Sequence, residues 1–193
     1  MSNNILIVGV GGQGTLLASR ILGAFYTRRG LDVKLSEVHG MSQRGGSVVT
    51  YVKAAERVDS PIIGPHCADM ILSFEAIEAA RYLNYLKLGG SIVTSSQQID
   101  PMPVITGAAK YPTDILDQLR GLGVKLTALD ALKLAMEAGS PKAANVVMIG
   151  AASVVLGGDE AEWMESLSAC VPAKFLEMNQ KAFRLGRAAA MAE

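Results

Sequence analysis

The chain has 193 residues, 50% of them apolar, enough for one domain with a substantial core. Its 18 acidic and 18 basic side chains cancel, and no Lys/Arg block interleaves with aromatics, which argues against a nucleic-acid partner. Cys67 and Cys170 form no C-x-x-C pair and fall short of the four thiolates of an iron–sulfur site; His39 and His66 have no carboxylates at a zinc-binding spacing. These counts predict a reduced, cytoplasmic protein with two buried thiols, structural or loop histidines and no metal of its own.

Strands and helices alternate along the chain. "MSNN" carries no basic region, so the aliphatic run "NILIVG" is expected as a first, fully buried strand rather than a signal peptide. From Thr15 onward Leu17, Ile21, Ala24 and Phe25 recur at helical spacing, with Arg20 and Arg28 off that stripe and Gly30 ending the helix. "LDVKLSEV" (31–38) alternates as a second strand, and "SVVTYVKAA" (47–55) is dense in β-branched residues. The gap between them is too short for a helical crossover, which predicts that the third strand runs antiparallel to the second.

"ADMILSF" (68–74) reads as a buried strand leading into a helix from Glu75 to Lys87, with Ala76, Ala79, Leu83 and Leu86 on one face. "GGSIVTSS" supplies another strand, and the two prolines of "DPMPVI" break regular structure. "VKLTALD" (124–130) is a further strand whose Asp130 is placed to cap the helix "ALKLAMEAG". Pro141 suits the first turn of a long apolar helix through Leu156, and the apolar stretch 143–158 is shorter than the ~20 residues of a membrane span. From Pro172 onward Phe175, Met178, Ala182 and Leu185 line one side of a terminal helix, with Lys174, Glu177, Lys181 and Arg184 largely on the other. The pattern predicts a single α/β domain over residues 1–193: three-layer and Rossmann-like, with a mixed, mostly parallel sheet and at least one antiparallel strand.

Two stretches carry chemistry. In "GVGGQGTLLASR" (9–20), Gly9, Gly11 and Gly14 satisfy G-x-G-x-x-G between a strand and a helix. The first glycine permits a tight turn, the second a close backbone or phosphate, and the third close helix–strand packing, with helix amides left to favour an anion. Gly12 and Gln13 are unusual in the variable positions, and Gln13 offers a donor and an acceptor at the mouth of the helix. Glu37, at the end of the second strand, suits the acidic residue that holds an NAD ribose, so an autonomous NAD- or nucleotide-binding protein is one reading. In "EVHGMSQRGGSV", Ser42, Gln43 and Arg44 precede Gly45 and Gly46. Paired glycines let consecutive amides point together and Arg44 adds a planar cation, so the loop suits a phosphate or carboxylate. A glycine turn that serves packing alone, and a surface loop with Arg44 in solvent, are the structural alternatives.

With both stretches placed, the chain resembles the gamma-type domain of the 2-oxoacid:ferredoxin oxidoreductases over nearly its whole length. The resemblance runs through "GVGGQGTLLASRIL", "EVHGMSQRGGSV", "ADMILSFEAIEAARYL", "AANVVMIGA" and "NQKAFRLG". "HGMSQRGG" is similar to the indolepyruvate branch. The resemblance implies oxidative decarboxylation of an aryl pyruvate on thiamine diphosphate, electron transfer through iron–sulfur clusters to ferredoxin, and capture of the acyl group by coenzyme A. A gamma-type subunit for another 2-oxoacid (pyruvate, 2-ketoisovalerate or 2-oxoglutarate) is the alternative within the family.

This sequence lacks both the cluster cysteines and a G-D-G…N-N thiamine diphosphate pattern, Gly158-Asp159 being followed by Glu160. The resemblance therefore implies a larger alpha subunit that carries thiamine diphosphate and the clusters, and a chain inactive by itself. It further implies that Gly11, Gly12, Gln13 and Gly14, with Ser42, Gln43, Arg44, Gly45 and Gly46, face the partner's cofactor pocket and help seat the 2-oxoacid or coenzyme A. Arg44 is the candidate for the anionic group. Asn145, polar within an apolar helix, is expected to pin a nearby loop backbone or to touch the ligand. His39 is expected to be structural rather than a proton relay. An isolated chain is expected to be able to form a homodimer through the apolar surface meant for its partner.

Overall fold

The computed structural model describes residues 3–40 and 45–193. Six strands, β1 (Asn3–Val10), β2 (Asp32–His39), β3 (Ser47–Ala55), β4 (Ala68–Ser73), β5 (Leu86–Ser95) and β6 (Lys125–Leu129), form one sheet in the order β2-β3-β1-β4-β5-β6. β1, β4, β5 and β6 pair in parallel, while β3 is antiparallel to both β2 and β1. The short connection after β2 thus returns as a hairpin partner, as its length requires, and inserts β3 between the first two strands.

Alternation along the strands divides the core in two. Ile5, Ile7, Val52, Met70, Leu72 and Val93 join one apolar cluster, and Leu6, Val8, Tyr51, Ile71 and Ile92 join the other. The first face is covered by α1 (Thr15–Arg28), α5 (Ala131–Ala138), α6 (Ala144–Leu156), α7 (Glu160–Cys170) and α8 (Ala173–Met191). The second carries α2 (Ala76–Arg81) and α4 (Ile115–Gly121), giving three layers of unequal weight. On the heavier side, fully buried Trp163 of α7 stacks on Phe25 of α1 with ring centroids 3.7 Å apart. α6 and α8 cross so closely that a Cβ at Gly150 would overlap the Phe183 carbonyl, and one at Gly186 the Val147 carbonyl.

Several local expectations change. The helix expected from Glu75 to Lys87 ends at Arg81 and gives way to a 3-10 turn at Leu83–Tyr85. Leu86 is drawn into the sheet opposite Ala68, and the register shifts before Met70 pairs with Ser91. "DPMPVI" contains one short helix, α3 (Met102–Ile105). α4 and α7 have no counterpart in the sequence reading, although Asp159 N–H donates to Glu162 Oε2 at 2.9 Å, a capping signal spelled by D-x-x-E. Of the expected α8 stripe, Ala182 is buried and Met178 and Leu185 pack half-buried on the core, but Phe175 is exposed; α8 also buries Asn179, Phe183 and Gly186, where it crosses α6. Neither thiol is fully buried: Cys67 is exposed, just ahead of β4, and Cys170 is half-buried at the end of α7. Among the described residues no helix is long and apolar enough to cross a membrane.

Candidate functional site

The glycine turn closes on its own side chain. Val10 N–H donates to Gln13 Oε1 at 2.7 Å, and Gln13 Nε2 donates to the Phe74 carbonyl at 2.8 Å and to Gln97 Oε1 at 3.3 Å. Gln13 therefore joins the ends of β1, β4 and β5; it is not a free donor–acceptor pair at the helix mouth. A Cβ on Gly9 would come to 2.8 Å from Gln13 Oε1 and 3.2 Å from Phe74 Cβ, so the first glycine makes room for this side chain. Gly12 and Gly14 have φ of 105° and 83°, conformations in which glycine avoids strain. At Gly14 a Cβ would also overlap Asn145 Nδ2, which donates to the Gly14 carbonyl at 3.2 Å. The third glycine thus admits a side chain of α6, where the pattern suggested helix–strand packing.

The second glycine segment lies directly against the first. Gly11 N–H donates to the Gly46 carbonyl at 2.8 Å, and Gly45 N–H donates to the Gly11 carbonyl at 3.3 Å. This pairing continues the β1–β3 ladder past Val10 opposite Ser47. The Gly45 amide is consequently engaged within the chain, a correction to the expectation of paired amides aimed at an anion. Ser42, Gln43 and Arg44 lie outside the described residues.

A polar cluster that the sequence reading missed braces this junction. Ser47 Oγ donates to Glu78 Oε2 at 2.5 Å, and Arg81 Nε lies 3.1 Å from Glu78 Oε1. Burial, reinforced by nearby Glu75, pushes the Glu78 carboxyl above the usual range, although Ser47 and Arg81 pull it down. Fully buried Glu75 accepts from Tyr111 OH at 2.5 Å, Ile99 N–H at 3.2 Å and Glu78 N–H at 3.0 Å. Burial, then the bond to Glu75, raises the Tyr111 phenol and keeps it a donor. The available sequence signal was "FEAIEA", two acids on an otherwise apolar helix start beside the sheet edge.

An open cleft of about 460 Å³ lies between the glycine turn and the start of α6, lined among others by Gly12, Gly14, Ser95, Gln97, Lys142 and Asn145. Gln13 also lines it, so Gly12, Gln13, Gly14 and Asn145 come together there, while Gly11, Gly45 and Gly46 pair with one another and Gly9 belongs to β1. Among the described residues no side chain caps α1, and its N-terminal peptide dipoles favour negative charge. Lys142 sits in the 3-10 turn (Pro141–Ala143) that leads into α6, and its N–H donates to the capping Ser140 Oγ at 3.3 Å. Asn145 is 6% exposed, and its Oδ1 has no hydrogen-bond partner among the described residues. The cleft thus offers a cation, a helix N-terminus and an unsatisfied acceptor. It is suited to a molecule with an anionic group and a nearby N–H or O–H.

Two other sequence candidates do different work. Glu37 Oε2 accepts from Thr15 Oγ1 at 2.9 Å and Thr50 Oγ1 at 3.0 Å, linking β2 to β3 and to α1. With β3 between β1 and β2, the strand order departs from that of a dinucleotide-binding sheet. His39 is exposed, its Nδ1 within 3.0 Å of the Gly40 carbonyl. Among the described residues no three His, Cys, Asp or Glu side chains converge as a metal site.

Comparison with known proteins places this architecture. The family model for pyruvate ferredoxin/flavodoxin oxidoreductase matches residues 4–189. Indolepyruvate oxidoreductase subunit IorB of Thermococcus kodakarensis is 47% identical over 97% of this chain and 95% of that protein. The 2-oxoglutarate synthase subunit KorC of Methanothermobacter marburgensis is 31% identical over 97% of this chain and 96% of that protein. The crystal structure of a keto/oxoacid ferredoxin oxidoreductase gamma subunit from Geobacter sulfurreducens superposes with a TM-score of 0.73 at 24% identity, covering 99% of each chain. A 2-oxoglutarate:ferredoxin oxidoreductase from Magnetococcus marinus, TM-score 0.73 at 23% identity, contains the same fold as 31% of a longer chain. The family model matched over residues 4–189 and the relative at 47% identity over 97% of this chain lead to one conclusion: the chain belongs to the pyruvate ferredoxin/flavodoxin oxidoreductase family.

Proposed function

We propose that this chain is the small, cofactor-free subunit of an indolepyruvate-type 2-oxoacid:ferredoxin oxidoreductase in the cytoplasm. Its full length acts as one gamma-type domain. The larger partner supplies thiamine diphosphate, which stabilises the carbanion left by decarboxylation, and iron–sulfur clusters that pass electrons to ferredoxin. This chain's two cysteines, Cys67 and Cys170, stand on separate elements, too few for a four-thiolate cluster, and among the described residues no three His, Cys, Asp or Glu side chains converge.

The role of this chain is to bind and orient. The cleft beside Gly12–Gly14 faces the partner's pocket and seats the anionic end of coenzyme A or of the 2-oxoacid. Lys142 and the α1 N-terminus meet the negative charge, and Asn145 Oδ1 accepts an N–H or O–H from the same molecule. Arg44, adjoining Gly45 in sequence, adds a second cation in this reading. The observation that carries it is the unsatisfied Oδ1 of Asn145, held at the uncapped start of α1 within one open cleft. An acceptor buried without a partner costs about 1–3 kcal/mol, which a ligand donor recovers.

The test is reconstitution. Co-expressed with the thiamine-dependent subunit, the chain should copurify with iron and thiamine, and reduce ferredoxin with indolepyruvate and coenzyme A. By itself it should turn over neither. Activity of the isolated chain, or copurification without any effect of Arg44→Ala and Lys142→Ala on Michaelis constants, counts against the proposal.

A further inference from the structure

Glu78 is an expensive residue where it stands. It is 4% exposed, and Arg81, its cationic neighbour among the described residues, is half in solvent. A buried carboxylate with partial compensation is often less favourable than an apolar side chain of similar volume. What the carboxylate does hold is Ser47 Oγ at 2.5 Å, the first residue of β3 and the one that follows Gly45-Gly46. Those glycines are in turn bonded to Gly11, next to the turn residues that line the cleft. A continuous path therefore runs from α2 through Ser47 and the Gly45–Gly46 backbone to the rim of the cleft.

We propose that Glu78 is a positioning residue for ligand binding: acting through Ser47, it fixes the Gly45–Gly46 segment against Gly11 and so sets the rim that meets the substrate anion. This rests on the cleft being a ligand site. Glu78 touches no ligand itself. Its partner Ser47 is exposed, so removing the hydroxyl leaves the core intact.

The experiment uses the reconstituted complex with indolepyruvate, coenzyme A and ferredoxin, and compares Ser47→Ala, Glu78→Ala, the double variant and Glu78→Gln. Both single alanine variants should raise the Michaelis constant for coenzyme A or indolepyruvate about tenfold, the loss expected of a hydrogen bond to a charged acceptor, with kcat within about twofold. The double variant should be no worse than either single, because both remove the same contact. Glu78→Gln keeps an acceptor for Ser47 and should restore most of the affinity. Asn145→Asp, which places negative charge in the cleft, separates the two ideas. If it raises the Michaelis constant while Ser47→Ala and Glu78→Ala do not, the role of Glu78 is overturned and the cleft stands. If none of the three changes it, both fall. Additive losses in the double variant, or a fall in kcat alone, also overturn the assignment.

Discussion

Glycine is indispensable in two regions of this fold, the α6–α8 crossing and the turn after β1, and the neighbours it admits differ. At the crossing, Gly150 and Gly186 face backbone carbonyls of the opposing helix, which cannot swing aside. At the turn, Gly9 and Gly14 face the side-chain amides of Gln13 and Asn145. The first arrangement removes all space and makes a core. The second leaves an open cleft with polar groups positioned around it. The same residue type thus serves rigidity in one place and access in the other, and what approaches the missing Cβ decides which.

The contrast can be broken most directly at the crossing. Gly186→Ala or Gly150→Ala should cost about 3 kcal/mol, since relief requires the helices to separate. That corresponds to a fall in Tm of roughly 10 °C by calorimetry; a fall below about 3 °C would mean the crossing relaxes easily. Gly14→Ala should be milder, about 1–2 kcal/mol, because Asn145 can rotate away and the positive φ supplies most of the strain. Its Michaelis constants in the complex should nevertheless rise, whereas those of Gly186→Ala should not. Gln13→Ala should cost about 1 kcal/mol in denaturant melts while loosening the ends of three strands.

Glu78 sharpens the comparison through pH. Its carboxyl is raised in the fold, so the native state holds the proton more tightly than the unfolded chain does. Stability is then highest below the unfolded carboxylate pKa of about 4.3 and declines as pH rises through the higher folded value. Glu78→Gln lacks this titration, so its stability relative to the parent should increase from acid toward neutral pH in urea melts at stepped pH. A change in the opposite direction would show that the fold favours the charge. The smallest expected effect belongs to the nucleotide reading: millimolar NAD should shift the Tm of the isolated chain by less than about 1 °C, where an independent dinucleotide site would shift it by several degrees.

Much of the architecture was legible because burial imposes it on composition. The buried strand "NILIVG" and the alternating "LDVKLSEV" matched β1 and β2 closely, and "SVVTYVKAA" matched β3 with its direction. Asp130 caps its helix as expected, accepting from Lys133 N–H at 2.9 Å. Asn145 was expected to pin a loop, and it binds the Gly14 carbonyl. Other features depended on partners distant in the chain. Leu86 left a helical pattern for a strand because Ala68 paired with it, and Phe175 yielded the buried side of α8 to Gly186. Glu75 and Glu78 owe their roles to Tyr111, Ile99 and Ser47, which only the fold brings around them.

The order of residues alone determined an α/β chain with one returning strand and a glycine turn at the mouth of its first helix. Apolar periodicity, connection length and ligand counts are local quantities, readable without coordinates. Only the folded structure decided that Gln13 serves the turn itself, that Glu37 serves two threonines and that Asn145 keeps one oxygen unpaired beside an open cleft. A hydrogen bond is set by which groups meet across the sheet edge, and those meetings span 61 residues for Gln13 with Phe74 and 131 for Asn145 with Gly14.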